Sequence, residues 1–201
     1  MVHETSNRPA LTAKGARTRA RIVEAAAGLI HERGVAGTTL EDVKSAANVS
    51  GSQMYHYFAE KNELVQAVID YQADTIVKHQ GHVLSKANGV DAWHKMVIAA
   101  AKRTQAKGGC PLGSLVGQLA ECDPEARSLI AAGFERWVAT IGDAIRTQYA
   151  DEDLPSDIDP DDLAITLLAT LEGGLLLAQV LRSTEPFEKA INSILALIID
   201  T

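Results

Sequence analysis

The sequence predicts an all-α protein of about nine helices, with a short three-helix unit at its N-terminal end and a longer helical domain after it. Three observations predict this. Alanine and leucine abound in a composition that is 46% hydrophobic but only 4% aromatic, and both residues lead the helix propensity ranking. Apolar residues recur at spacings of three and four along most of the chain, and no stretch shows the period-two alternation of a half-buried strand. Helix-starting Thr, Ser and Asp residues and helix-stopping Gly residues punctuate these runs.

From about Ala13 to Arg33, the residues Ile22, Val23, Ala26, Leu29 and Ile30 mark one helical face, and Gly34 supplies the stop. The segment Thr38-Thr39-Leu40-Glu41-Asp42-Val43 places an acid three residues after a threonine whichever threonine is the cap, and opens a short second helix. Leu40, Val43 and Ala47 share its face. Asn48 then marks a turn, because asparagine is, after glycine, the residue that best tolerates the left-handed conformation. Ser50 and Gln53 form a second capping box, and Val49 is placed to staple onto Met54. The third helix runs through Met54, Tyr55, His56, Tyr57 and Phe58, with Met54, Tyr57 and Phe58 inward. Two short helices across a tight turn, backed by a longer one, make a helix-turn-helix.

A fourth helix follows Ala59-Glu60-Lys61-Asn62 and carries Leu64, Val65, Val68, Ile69, Tyr71 and Ile76. It is read as the bridge between residues 1–62 and residues 63–201. Beyond it, Asp91 to Lys107 reads as a helix broken by Gly108-Gly109. Asp123-Pro124-Glu125 is a cap, a first-turn proline and an acid, opening a helix that carries Leu129, Ile130, Phe134, Trp137, Val138, Ile141 and Ile145. The acidic stretch Ala150 to Ile158 is a loop. Asp159-Pro160-Asp161 opens a strongly apolar helix, and Pro186 falls in the first turn of the last one, where Phe187, Ala190, Ile191, Ile194, Leu195 and Ile198 share a face.

Leu163 to Leu181 is apolar enough to raise a membrane span. Glu172 at its centre costs about 2.5 to 3.5 kcal/mol on insertion scales, and the flanks lack a Lys/Arg belt. A buried helix in a soluble dimer is therefore expected. The polar, basic segment Met1 to Arg21 has no apolar signal-peptide core, and a cytoplasmic protein is expected. Cys110 and Cys122 have no metal-ligand spacing, so no metal and no disulfide framework is expected. No nucleophile elbow and no phosphate-cradling glycine loop is found, so no enzyme activity, catalytic residue or cofactor is expected.

The formal net charge of −7 divides unevenly. Residues 1–62 carry eight Lys/Arg against six Asp/Glu, and the rest carries eleven against twenty. Arg8, Lys14, Arg17, Arg19 and Arg21 form a basic arm, and nucleic acid responds to the field near its own surface.

Over Gly34 to Leu64 the chain strongly resembles the tetracycline-repressor-like (TetR) regulators. The resemblance is carried by Thr38-Thr39-Leu40-Glu41-Asp42-Val43, Ala47-Asn48-Val49-Ser50, Met54-Tyr55-His56-Tyr57-Phe58 and Lys61-Asn62-Glu63-Leu64. The family pattern has glycine where Asn48 stands and a small residue where Lys44 stands. Cys110-Pro111-Leu112-Gly113-Ser114-Leu115 further resembles a branch that includes regulators of multidrug or antibiotic efflux.

The resemblance implies an N-terminal helix-turn-helix DNA-binding domain over 1–62 and a C-terminal helical effector-binding and dimerisation domain over 63–201. It implies a ligand-responsive repressor, released from a pseudo-palindromic operator by a small apolar effector. The third helix would enter the major groove with Ser50, Ser52 and Gln53 facing bases and phosphates. Tyr55 and His56 would lean on the backbone, Thr39 and Lys61 would hold phosphates, and Arg17 would belong to the basic first helix beside DNA. Glutamine can pair bidentately with adenine, while hydroxyls and lysine suit phosphates. Ser50 and Gln53 equally suit a purely capping role.

Trp93, Met96, Leu115, Phe134, Trp137 and Glu172 are the candidates for an effector pocket, with plain core as the alternative for Trp93, Met96, Phe134 and Trp137, and the dimer interface or a local hydrogen bond as the alternatives for Glu172. The last two helices carry more apolar residues than one face hides, so Leu167, Leu171, Leu175, Ile191, Ile194 and Ile198 are the candidates for a homodimer interface. The competing function is a dimeric DNA-binding protein without an effector, either architectural or controlled by a protein partner.

Overall fold

In the computed structural model, residues 11–86, 88–149 and 158–199 are described, with side chains described as far as residue 196. Nine α-helices and no strand are found among them: α1 (Ala13–Arg33), α2 (Leu40–Ala46), α3 (Gly51–Tyr57), α4 (Lys61–Leu84), α5 (Gly89–Thr104), α6 (Gly113–Leu119), α7 (Pro124–Gln148), α8 (Pro160–Leu181) and α9 (Glu185–Ile199). The chain forms two units, Met1–Val68 and Ile69–Thr201. The boundary falls inside α4, a little beyond the division at 62/63 drawn from the sequence.

The local signals of the first unit act as expected. Thr12 caps α1 by accepting from the Gly15 N–H at 3.1 Å. Thr39, and not Thr38, caps α2, in a box completed by Asp42. Thr38 is buried and donates its hydroxyl to the Gly34 carbonyl at 2.9 Å. Asn48 takes a φ of 50°, the left-handed turn that separates α2 from α3. Ile22, Val23, Ala26 and Ile30 of α1, Val43 of α2, Met54 and Phe58 at α3, and Leu64 and Val65 of α4 are buried and make the core of this unit.

In the second unit, α5 ends at Thr104, earlier than the sequence reading to Lys107. Gln105 and Ala106 both take positive φ (51°), so the chain leaves the helix before Gly108-Gly109 is reached. The short helix α6 had no counterpart in the sequence reading. Its seven residues give too few turns for an apolar period to show. Asp123 caps α7 and Asp159 caps α8, each followed by proline in the first turn. The acidic loop expected at Ala150 to Ile158 lies outside the described residues except for Ile158.

Helix α8 is long and apolar enough to cross a membrane by length and composition alone. Within the unit it packs against α7 and α9. Its buried face is Leu163, Ala164, Leu167, Leu168, Leu171, Gly174 and Ala178. Phe187, Ile191 and Leu195 are the buried residues of α9. Leu167, Leu171 and Ile191 therefore belong to the protomer's own core, which corrects the expectation that they lie at an interface. Leu175 and Ile194 are half-buried, and the Ile198 side chain lies outside the described residues. An all-round apolar helix has two apolar faces, and periodicity does not say which one its own subunit uses.

Candidate DNA-reading face and effector cavity

The third helix is built to present its first turn. The Ser50 N–H donates to Gln53 Oε1 at 2.9 Å, and the Gln53 N–H donates back to Ser50 Oγ at 3.2 Å. This reciprocal box satisfies two amides that the helix start leaves open. Ser52 joins it, its Oγ lying 2.9 Å from Ser50 Oγ. Ser50, Ser52, Gln53, Tyr55 and His56 are all exposed, Tyr55 at 64%. Met54 and Phe58 anchor the opposite side at 1% and 2%. Tyr57 is half-buried and meets the His56 ring edge-on at 4.9 Å.

At the start of α2 the Thr39 N–H and hydroxyl both donate to Asp42 Oδ2, at 2.9 and 2.5 Å, and the Asp42 N–H donates to Thr39 Oγ1 at 3.1 Å. These bonds from Thr39 hold the Asp42 carboxyl below its ordinary range. Lys61 opens α4 and is half-buried. Glu63 accepts from the Ala59 N–H at 3.1 Å across the same helix start. Arg17 is exposed on α1. Arg19 instead lies over the Phe58 ring, 5.0 Å from its centroid, tying the basic helix to α3 by a cation–π contact. Eight side chains proposed from the sequence as DNA contacts thus lie in the first unit, seven of them exposed and Lys61 half-buried. The Arg19 contact had no sequence signal, since the two residues are far apart in the chain.

The second unit holds a cavity of about 370 Å³ between the loop at Gly108–Cys110, α6, Phe134 of α7, and the Glu172 to Gln179 side of α8. Of the pocket residues proposed from the sequence, Phe134 and Glu172 line it. Leu115, Trp93 and Trp137 do not. They are buried core residues, at 1%, 0% and 1% exposure. Met96 is half-buried on α5 and is not on this wall. Both indoles are satisfied: Trp93 Nε1 and Trp137 Nε1 donate to the same Gln80 Oε1, at 2.6 and 2.8 Å. Phe134 stacks parallel to Trp137 with ring centroids 6.3 Å apart, so the cavity wall leads directly into that core.

The cavity's polar end is Glu172. Burial raises its carboxyl above the ordinary range, an effect the Cys110 thiol partly offsets by hydrogen bonding to it. Burial first, then the neighbouring carboxylate, pushes the Cys110 thiol well up, so this cysteine is a poor thiolate. A second cleft of about 440 Å³ lies where Gly81 to Lys86 of α4 and its end face Thr140 to Gln148 of α7. Among the described residues no three His, Cys, Asp or Glu side chains converge into a metal-binding group.

A capped, exposed reading helix on a three-helix head, with a separate all-helical unit, defines a helix-turn-helix DNA-binding regulator. Residues 22–68 match the family model for bacterial regulatory proteins of the tetR family, and residues 88–194 match that for the tetracyclin repressor-like C-terminal domain. The chain belongs to the TetR family of transcriptional regulators. It is 28% identical over 184 residues to an uncharacterised HTH-type transcriptional regulator of Mycobacterium tuberculosis, covering 85% of this chain and 88% of the relative. Its fold matches a TetR transcriptional regulator from Chloroflexus aurantiacus with a TM-score of 0.76 and 28% identity, over 91% of this chain and 94% of that one. It also matches the chain in a SmeT–triclosan complex, with a TM-score of 0.72 and 23% identity over 92% and 93% of the two chains.

Proposed function

We propose that this chain is a cytoplasmic repressor that binds a pseudo-palindromic operator as a homodimer and leaves it when a small, mainly apolar effector binds. Ser50, Ser52 and Gln53 face the major groove, Tyr55, His56 and Thr39 contact the backbone, and Arg17 and Lys61 hold phosphates. The observation that carries the effector half of this reading is the cavity at Phe134 and Glu172, whose volume falls within the range of small-molecule sites. The triclosan bound by SmeT, a protein of the same fold, supports a small-molecule effector for this chain as well.

The dimer face is the outer side of α8. Ile165, Leu176, Leu177, Val180 and Leu181 are exposed at 52 to 72%, with the small residues Ala169 and Gly173 exposed on the same face. Large apolar side chains around small ones favour close helix approach, and a two-fold axis makes such a face self-complementary.

The response has a physical route. A ligand that displaces Phe134 presses on Trp137, and Trp137 is bonded to Gln80 on α4. Helix α4 is continuous to Lys61. A tenfold loss of operator affinity asks for about 1.4 kcal/mol of coupling, well within allosteric practice. The test is selection of bound genomic DNA with purified protein, followed by a small-molecule screen and titration of each hit with and without the selected operator. Linkage requires operator DNA to weaken an inducer by the same factor that the inducer weakens DNA. A compound with equal affinity in both titrations is not the inducer, and a protein that selects no DNA is not a sequence-specific regulator.

A further inference from the structure

Glu172, which lines the cavity, carries a buried acceptor that the protein leaves unanswered. Glu172 Oε1 is out of reach of water and has no hydrogen-bond partner. The other oxygen, Oε2, lies over Gly113, where a Cβ would collide with it. The missing side chain at Gly113 is thus what makes room for the carboxylate. No lysine or arginine is among the described lining residues, whose other polar side chains are the Cys110 thiol, the Ser114 hydroxyl and the Gln179 amide. The remaining side chains on the wall, Val116, Phe134, Leu175 and Leu176, are apolar.

A buried carboxylate without a countercharge is costly, and a buried acceptor without a donor adds to that cost. The protein supplies neither remedy at Oε1, so a bound molecule toward which the Glu172 carboxylate turns is the available source of both. We propose that the effector is an organic cation, a protonated amine on an apolar or aromatic body, whose N–H donates to Glu172 while its body lies along Phe134 and Leu175. This rests on the effector-cavity reading and narrows it. A cation gains a charge-assisted bond at Glu172 and an attractive ring face at Phe134. A neutral isostere gains at most an ordinary hydrogen bond, and a carboxylic acid meets like charge.

The experiment uses the full chain and three matched probes: naphthylmethylamine, naphthylmethanol and naphthoate. Calorimetric titration is expected to show the amine binding about tenfold or more tightly than the alcohol, with naphthoate weakest. Glu172→Gln keeps the side-chain shape and is expected to erase the amine's advantage. Gly117→Leu introduces bulk where a Cβ meets nothing within 4 Å, and is expected to exclude all three probes. Circular dichroism and operator binding establish that both variants remain folded. Equal affinities for amine and alcohol in the natural protein, or an advantage that survives Glu172→Gln, overturn the assignment. If Gly117→Leu still excludes probes that show no charge preference, the effector cavity stands and only the cationic class falls. If the folded, DNA-binding protein takes up none of the probes at millimolar concentration, the cationic assignment falls, and screening hits that Gly117→Leu does not exclude overturn the cavity as well.

Discussion

Trp93 and Trp137 donate their indole N–H groups to one and the same atom, Oε1 of Gln80, at 2.6 and 2.8 Å. Both rings are buried, at 0% and 1% exposure. One amide oxygen of α4 therefore fastens α5 and α7 together. Replacing Gln80 by leucine leaves two buried donors without an acceptor, at a cost of about 1 to 3 kcal/mol each. Chemical denaturation of Gln80→Leu is expected to show a loss of about 2 to 6 kcal/mol on that basis. An unchanged midpoint would mean that the shared oxygen contributes nothing.

The cap of α3 constrains what Gln53 can read. While Oε1 accepts the Ser50 N–H, one of its two lone pairs is used and its direction is fixed, whereas the amide N–H₂ is free and suits bases that present acceptors, such as guanine O6 or thymine O4. Gln53→Ala is expected to flatten base preference at one position of each half-site in a binding selection. Lys61→Ala is expected to weaken all sequences alike and to reduce the slope of log affinity against log salt by about one phosphate contact. The reverse pattern would remove Gln53 from the reading head.

The buried face of α8 and its exposed face, proposed as the dimer contact, give different expectations. Leu177→Glu or Val180→Glu on the exposed face is expected to give a folded monomer in sedimentation. Leu167→Ala on the buried face is expected to lower stability by about 2 to 5 kcal/mol, as for other leucine truncations in a packed core. A dimer that survives both exposed-face changes would place the interface elsewhere.

Two carboxyls give opposite pH dependences. Asp42 is held below its ordinary range by the Thr39 hydroxyl and N–H, so its contribution is present at neutral pH and is lost as pH falls through the lowered folded value. Glu172 is held above its ordinary range by burial, so the folded protein binds that proton more readily than the unfolded chain. Its ionisation therefore costs stability as pH rises above the ordinary glutamate range. Unfolding of Glu172→Gln against pH is expected to match the natural protein in acid and to exceed its stability at neutral pH. A constant difference at every pH would assign the effect to packing.

Much of the first unit was legible in the sequence because its signals are local. A capping box needs only residues three apart, and Thr39 with Asp42, Ser50 with Gln53, and the left-handed Asn48 all appear where their chemistry places them. Asp123-Pro124 and Asp159-Pro160 likewise open their helices at the expected residues. Locality also placed the residues proposed to read DNA on the exposed side, because Met54 and Phe58 at helical spacing turn the other side inward.

The second unit was legible only in part, because what matters there is which residues meet across helices. The sequence marked Trp93, Phe134, Trp137 and Glu172 alike as candidates for one pocket. Tertiary packing sent both indoles to Gln80, left Phe134 and Glu172 on the cavity wall, and put Gly113 under the carboxylate. The same holds for α8, where composition announced an apolar helix but packing against α7 and α9 decided that Leu167 is core and Val180 is surface. Helix caps and the helical period depend on neighbours a few residues apart, so the long helices and the capped α2–α3 pair were legible in the sequence, while the seven-residue α6 was not. The partners of a buried side chain depend on segments brought together from tens of residues away, so only the tertiary structure decided the cavity, its unanswered carboxylate and the free face of α8.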